Sequence, residues 1–177
     1  MKCMRQGKRC RAFPAVVMAA IFALLRISGV FAGGEPLDFV LRIYDWKNGT
    51  VYAEAPAKAG SEVFFGWIHS LEKIPWNEYF HVDEKGHLIL DAITFPAFGA
   101  GIPENKGRVC YVENGLIHME QIDQLFEELV WLNSHTATQE IRVDGKKITR
   151  GSELPQHTRL RLVIERGGAN GSHEIGK

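Results

Sequence analysis

The chain has 177 residues, 21 basic and 21 acidic residues, and a hydrophobic fraction of 45%, which suffices for one domain with a core. Six of the basic residues lie in the first 32 positions, so the remainder carries 15 basic against 21 acidic residues, a net charge of about −6. This acidity argues against nucleic acid as a partner, because no basic stripe is present to neutralise phosphates.

The N-terminal segment predicts export. Lys2–Arg11 is basic, Phe13–Leu25 is an unbroken apolar run, and Val30-Phe31-Ala32 resembles a small-x-small cleavage site. The apolar run ends at Arg26 and is short for a membrane span. We therefore expect a signal peptide over residues 1–32, with an uncleaved N-terminal anchor as the alternative. The rest of the chain would be periplasmic or extracytoplasmic and would touch the membrane only through such an anchor.

The following residues, 33–166, predict a single β-rich domain. Segments rich in Val, Ile, Phe, Tyr and Trp are separated by four turn dipeptides: Asn48-Gly49, Lys85-Gly86, Asn114-Gly115 and Asp144-Gly145. Asn-Gly and Asp-Gly supply the positive φ that two-residue hairpin turns need. Thr158–Glu165 alternates apolar residues with arginines and predicts a last strand. The pattern indicates an all-β, mainly antiparallel fold, either a sandwich or a barrel built from hairpins.

One segment is ambiguous between strand and helix. The apolar residues Ile122, Leu125, Phe126 and Leu129 fall at helical spacing, whereas Leu129–Leu132 would also serve as a buried strand. We favour a turn near 122–124 that leads into a strand, with a short helix near 120–130 as the alternative. Residues 167–177 are rich in glycine and polar residues, and predict a disordered tail.

The densest polar chemistry lies between His69 and Glu78. If 63–70 and 77–83 pair symmetrically as strands around the connection 71–76, His69 lies opposite Glu78. The face that ends in this pair carries Phe65 and Trp67. A carboxylate beside an imidazole favours the charged imidazole and fixes its tautomer. Pro75 would stiffen the connection.

Three interpretations of this stretch compete. The His–Glu pair could cap the core without reacting, the connection could recognise a ligand or partner, or the side chains could bind metal or catalyse. A metal site would need His69, Glu72, Glu78 and His81, but His81 should point to the face opposite Glu78.

Catalysis has a weaker basis in this stretch. Ser70-Leu71-Glu72-Lys73 matches a bare Ser-x-x-Lys pattern, yet that motif needs a helix and Pro75 follows at once. We therefore assign no catalytic residue, no metal and no cofactor.

A second motif is Phe98-Gly99-Ala100-Gly101. The two glycines allow a close approach of the backbone or unusual φ values. The segment could form a rigid wall facing the connection, or simply a tight loop packed by its phenylalanines.

Together, His69-Ser70-x-Glu72-Lys73-x-Pro75-x-x-Glu78 and Phe98-Gly99-Ala100-Gly101-x-Pro103 resemble a bacterial domain-of-unknown-function family, number 1850. The resemblance covers roughly Phe39 to Glu165. Members of that family are often encoded beside TRAP-type transporters of the TAXI class, which use an extracytoplasmic solute-binding protein with a fused membrane permease. The resemblance implies an accessory role in uptake, with the permease or the solute-binding protein as partner. It carries over no catalytic residue.

The leading hypothesis is an exported, non-enzymatic accessory domain of a TAXI-type TRAP system that binds a partner protein or a solute. The candidate binding residues are His69, Ser70, Glu72, Lys73, Glu78, Phe98, Gly99 and Gly101. The alternatives are a small periplasmic metal-dependent hydrolase that uses His69 and Glu78, and a purely structural envelope domain.

Overall fold

The computed structural model describes residues 39–96 and 106–167. The predictions made for the signal segment 1–32, for Phe98, Gly99 and Gly101, and for the tail after residue 167 lie outside the described residues. Within the described ranges, no helix is long and apolar enough to cross a membrane.

Strands make up almost all of the regular structure in the described ranges. They are β1 Phe39–Asp45, β2 Val51–Ala57, β3 Glu62–Ile68, β4 Pro75–Val82, β5 Leu88–Phe95, β6 Val109–Glu113, β7 Leu116–Phe126, β8 Glu128–Leu132, β9 Thr138–Val143, β10 Lys146–Arg150 and β11 Arg159–Arg166. A single turn of 3₁₀ helix spans Gly151–Glu153.

The strands form two antiparallel sheets. The smaller sheet has four strands in the order β2-β1-β11-β8, and the larger has seven in the order β10-β9-β3-β4-β5-β7-β6. The sheets do not close into a barrel. Of the two architectures predicted, the sandwich is therefore confirmed and the barrel is wrong.

The predicted hairpin turns lie between the expected strands. Asn114 and Gly115 join β6 to β7 with φ values of 52° and 79°, and Asp144 and Gly145 join β9 to β10 with 48° and 74°. Two consecutive residues in the left-handed region are the mark of a type I′ turn, whose twist matches that of the flanking strands. These two turn dipeptides therefore form hairpin turns at the positions that the sequence predicts.

The core lies between the sheets and follows the alternation of the strands. In β1 every second residue is buried, and Leu41 and Ile43 are fully so. The larger sheet contributes Phe80, Ile93 and Phe95. Burying one such side chain stabilises the folded state by about 1.5–3 kcal/mol, so this layer holds the two sheets together.

The ambiguous segment forms strands, and β7 runs through 122–124, so both the predicted turn there and the helix alternative are wrong. Within β7, Gln121 and Asp123 have φ values of 55° and 54°. On the neighbouring strand, Leu90 pairs with Gln124 and Ala92 pairs with Glu120, so β7 bulges between these pairs. A bulge changes which face later residues occupy, which explains why the apolar residues imitate helical spacing.

The register of β3 and β4 corrects the predicted His–Glu pair. Glu78 lies opposite Phe65, and Trp67 lies opposite Trp76. The pairing of His69 with Glu78 is wrong because β4 begins at Pro75, two residues earlier than predicted, which shortens the connection. The shift is an even number of positions, so the predicted face is retained: Glu78 still shares a face with Phe65 and Trp67.

Candidate binding site

Aromatic rings gather where β3 and β4 meet the connection. The rings of Trp67, Trp76 and His69 form a triangle in which each pair of centroids is 5.7 Å apart. Trp76 also stacks on Phe95, with centroids 4.8 Å apart and the planes inclined by 5°. His69 is thus packed among indoles at the end of the aromatic face.

The connection is a compact loop held at its base by His69. The N–H of His69 donates to the carbonyl of Ile74, and the N–H of Lys73 donates to the carbonyl of His69, both at 2.8 Å. The N–H of Glu72 donates to Nδ1 of the imidazole at 3.3 Å. Because Nδ1 accepts, the proton of the neutral ring resides on Nε2. The role visible for His69 is to fix the loop.

The predicted recognition residues therefore divide into two groups. Ser70 and Lys73 are exposed at the tip of the loop, beside Leu71, which is 64% exposed. His69 and Glu72 are half-buried at its base. Glu78 belongs to neither group, because it lies on β4 and lines a cavity away from the tip of the loop.

Glu78 lines a cavity of about 600 Å³ between the two sheets. One wall is β8, the edge strand of the smaller sheet, and the other is the inner face of the larger sheet. The described residues that line it are Phe65, Trp67, Glu78, Lys106, Gln124, Phe126, Glu128, Leu129, Val130, Trp131, Leu132, Ala137 and Thr138.

The electrostatics of Glu78 follow from its surroundings. Burial raises the pKa of Glu78 above its ordinary value of 4.5, and it outweighs the hydrogen bond from Trp76 and the charge of Lys106, which both lower that pKa. The indole N–H of Trp76 donates to Oε1 of Glu78 at 3.1 Å. The carboxyl group is therefore half-buried and accepts a hydrogen bond from a neutral donor.

Aromatic rings form much of the remaining wall. Phe65 and Trp131 meet edge to face across the two sheets, with centroids 5.2 Å apart. Phe126 meets Phe80 in the same way at 5.9 Å. Pockets for small molecules combine such apolar walls with a few oriented polar groups. This cavity has both features, since its aromatic walls adjoin the carboxyl group of Glu78.

The residues proposed for a metal site do not come together. His81 lies on the outer face, where its Nδ1 is 2.8 Å from the carboxylate of Asp91. Glu78 faces inward and His69 lies among the tryptophans. Across residues 39–96 and 106–167, no three His, Cys, Asp or Glu side chains gather as they would around a metal ion.

Sequence reasoning missed half of the cavity. The sequence pattern places Phe65, Trp67 and Glu78 on one face. It does not connect Trp131, Phe126 and Lys106 with them. The alternation of Leu129 and Trp131 along a strand was the available signal. It could not reveal that β8 joins the opposite sheet, because that pairing with β11 is made by residues far away in the sequence.

An antiparallel β-sandwich with an amphipathic cavity between its sheets defines the class of this protein. Residues 63–149 match the family model described as Domain of unknown function (DUF1850). The match covers just under half of the chain and includes every described residue of the cavity wall. The family resemblance is confirmed over this segment. No curated protein and no solved structure matches the chain.

Proposed function

We propose that this protein is a non-enzymatic binding domain that takes a small organic solute into the cavity between β8 and the larger sheet. The cavity itself is the observation that carries the proposal. Its volume of about 600 Å³ lies within the range of about 300–1,000 Å³ that is usual for ligand pockets. Its aromatic walls would contact an apolar body, and its carboxyl group would orient it.

The cellular role that we propose is accessory to solute uptake by a TAXI-type TRAP system, outside the cytoplasm. Two observations support it. The first 32 residues have the basic, apolar and small-residue pattern of an export signal. The second is the family-model match over residues 63–149, since the resemblance to that family implies an accessory role beside such transporters. The partner would be the permease or the solute-binding protein.

Solute binding is tested with a variant that fills the cavity. Gln124 is exposed and lines the opening, so Gln124→Trp should occlude it without disturbing the core. A thermal-shift screen of small organic molecules would supply ligands, and titration would give their affinities. We expect Gln124→Trp to weaken binding by about tenfold or more. Gln139→Trp, also exposed but outside this cavity, is the control and should leave the affinity unchanged. Equal affinities for both variants would place the ligand elsewhere.

The partner role is tested at the tip of the connection. Leu71→Asp combined with Lys73→Glu changes the apolar and charged character of this exposed tip. We expect the double variant to lose co-purification with the permease or the solute-binding protein. Val51→Asp with Lys47→Glu makes the same changes at exposed positions near the β1–β2 turn and should retain it. Capture that is equal for both double variants would exclude the tip as the contact.

A further inference from the structure

The chemistry of the cavity wall indicates which solutes it accepts, provided that the cavity is a binding site as proposed above. Among the described lining residues, the charged groups are the carboxylates of Glu78 and Glu128 and the ammonium group of Lys106. Glu128 also lies 3.9 Å from Arg161 at the outer side of β8. Glu78 is the charged group that faces the aromatic walls from the inner face of the larger sheet.

Glu78 lacks a close cation. The neutral indole N–H of Trp76 donates a hydrogen bond to it, and Lys106 acts on it through its charge. No ion pair to Glu78 is formed within the described ranges. A carboxylate has about four acceptor positions, and a buried one is costly unless it is paired. An incoming cation would supply the missing partner.

The walls beside this carboxylate suit a cation as well. Trp67, Phe65 and Trp131 line the same cavity, and Phe65 and Trp131 touch each other across it. The face of an aromatic ring is negative and attracts ammonium groups, most strongly in tryptophan. The rings would therefore contact both the apolar body of a ligand and the carbons next to its charge.

We infer that the cavity binds an organic ammonium ion with an apolar body, and that Glu78 is the residue that recognises its charge. The ammonium group pairs with the carboxylate of Glu78 and offers it three N–H donors. The apolar body lies against Phe65, Trp67 and Trp131. A carboxylate ligand is disfavoured because the repulsion from Glu78 and Glu128 exceeds the attraction of the single cation, Lys106. A neutral ligand leaves Glu78 without a cation.

Three probes of similar shape test the charge preference: 2-phenylethylammonium, 2-phenylethanol and 3-phenylpropionate. Each is titrated calorimetrically into the full chain near neutral pH. We expect the ammonium probe to bind about tenfold or more tightly than the alcohol, and the carboxylate to bind most weakly. Glu78→Gln retains the shape of the side chain and should abolish the preference, with the affinity for the alcohol changing by less than about twofold.

Glu62→Gln is the matched control, because Glu62 is exposed on β3 and does not line this cavity. It should behave like the natural protein. If Glu78→Gln fails to fold, judged by its thermal transition, Glu78→Asp replaces it and should give an intermediate preference.

The outcomes separate this inference from the proposed function. Equal binding of the ammonium and alcohol probes, blocked by Gln124→Trp, would overturn the ligand class and leave the cavity as a binding site. A preference for ammonium that persists in Glu78→Gln would overturn the role of Glu78. Failure of all three probes, together with a solute screen in which Gln124→Trp has no effect, would overturn the proposed function itself.

Discussion

Glu78 places a carboxyl group among indole rings, and this arrangement should make stability depend on pH. Burial raises its pKa in the folded state above the ordinary value of 4.5. Protons are then bound more tightly by the folded than by the unfolded chain in the range between the two pKa values. The contribution to stability is therefore fully present below the unfolded value and is lost as pH rises through the folded value. Lys106 opposes the effect, since its charge lowers the pKa of Glu78.

Glu78→Gln should accordingly stabilise the unliganded protein near pH 7 and have little effect near pH 4. A glutamine oxygen still accepts the hydrogen bond of Trp76, so the packing is retained. Urea unfolding at the two pH values measures the difference. A change in the free energy of unfolding that is equal at both pH values would contradict the assigned burial cost.

Lys73, at the tip of the connection, has a left-handed backbone conformation with φ of 56°. For a residue with a Cβ, this conformation costs about 1 kcal/mol. Lys73→Gly should therefore raise the free energy of unfolding by up to about 1 kcal/mol. Lys85→Gly, at an exposed turn position outside the left-handed region, should lower it slightly. Thermal unfolding of the pair provides the comparison, and shifts of the same sign would rule out strain at Lys73.

At the scale of elements, β8 differs from the edge strands β10 and β2. β10 carries Lys146 and Lys147, and β2 carries Pro56, which are usual protections against pairing with another chain. β8 has apolar residues on both faces, and Leu132 is 67% exposed. In the described part of the chain, only β11 pairs with it. It is therefore an edge at which self-association would begin.

Leu132→Lys should therefore reduce aggregation during refolding and change the free energy of unfolding by no more than about 0.5 kcal/mol. Leu71→Lys is the control, because Leu71 is 64% exposed in the connection between β3 and β4 and does not lie on a strand edge. Light scattering after dilution from denaturant reports the difference. Equal scattering from the two variants would show that surface hydrophobicity, rather than the free edge, drives association.

The elements also show which features of the fold can be predicted from sequence. The Asn-Gly and Asp-Gly hairpins were predictable because a type I′ turn depends on two adjacent residues. The register of β3 and β4 was not, because it depends on where β4 begins, and Trp76 extends that strand by packing into the core. The bulge at Gln121–Asp123 likewise hid the strand character of β7.

The candidate site was predictable only in part for the same reason. Period-two alternation placed Glu78, Phe65 and Trp67 on one face even though the register was wrong. The opposite wall, with Trp131, depends on β8 crossing to the other sheet, and pairing with β11 decides that. The residues that one hairpin brings together can be predicted from local sequence. A cavity between two sheets also depends on pairing between strands that are distant in the sequence.

At the scale of the whole molecule, the turn between β4 and β5 joins the two sheets. Gly86 has φ of 89°, and a Cβ there would lie 2.9 Å from Cε1 of Phe39 and 3.6 Å from Ile164. Phe39 and Ile164 belong to β1 and β11, so a turn of the larger sheet packs on the smaller one. Gly115 has a similar φ of 79°, but nothing lies within 4 Å of its added Cβ.

Gly86→Ala should thus cost more than Gly115→Ala. Both variants incur about 1 kcal/mol of backbone strain, and Gly86→Ala adds about 1–3 kcal/mol from overpacking against Phe39. Urea unfolding of both variants gives the difference. Equal destabilisation would mean that the Phe39 ring moves aside at little cost.

The pairing of Phe39 with Arg166 has a consequence for a chain that emerges from its first residue onward. The smaller sheet runs β2-β1-β11-β8, so β8 has no neighbour until the last described strand, β11, is in place. During synthesis or vectorial translocation, one wall of the cavity is therefore missing until residue 166 has passed through. A nascent chain stalled before that point would present apolar β8 to holding chaperones.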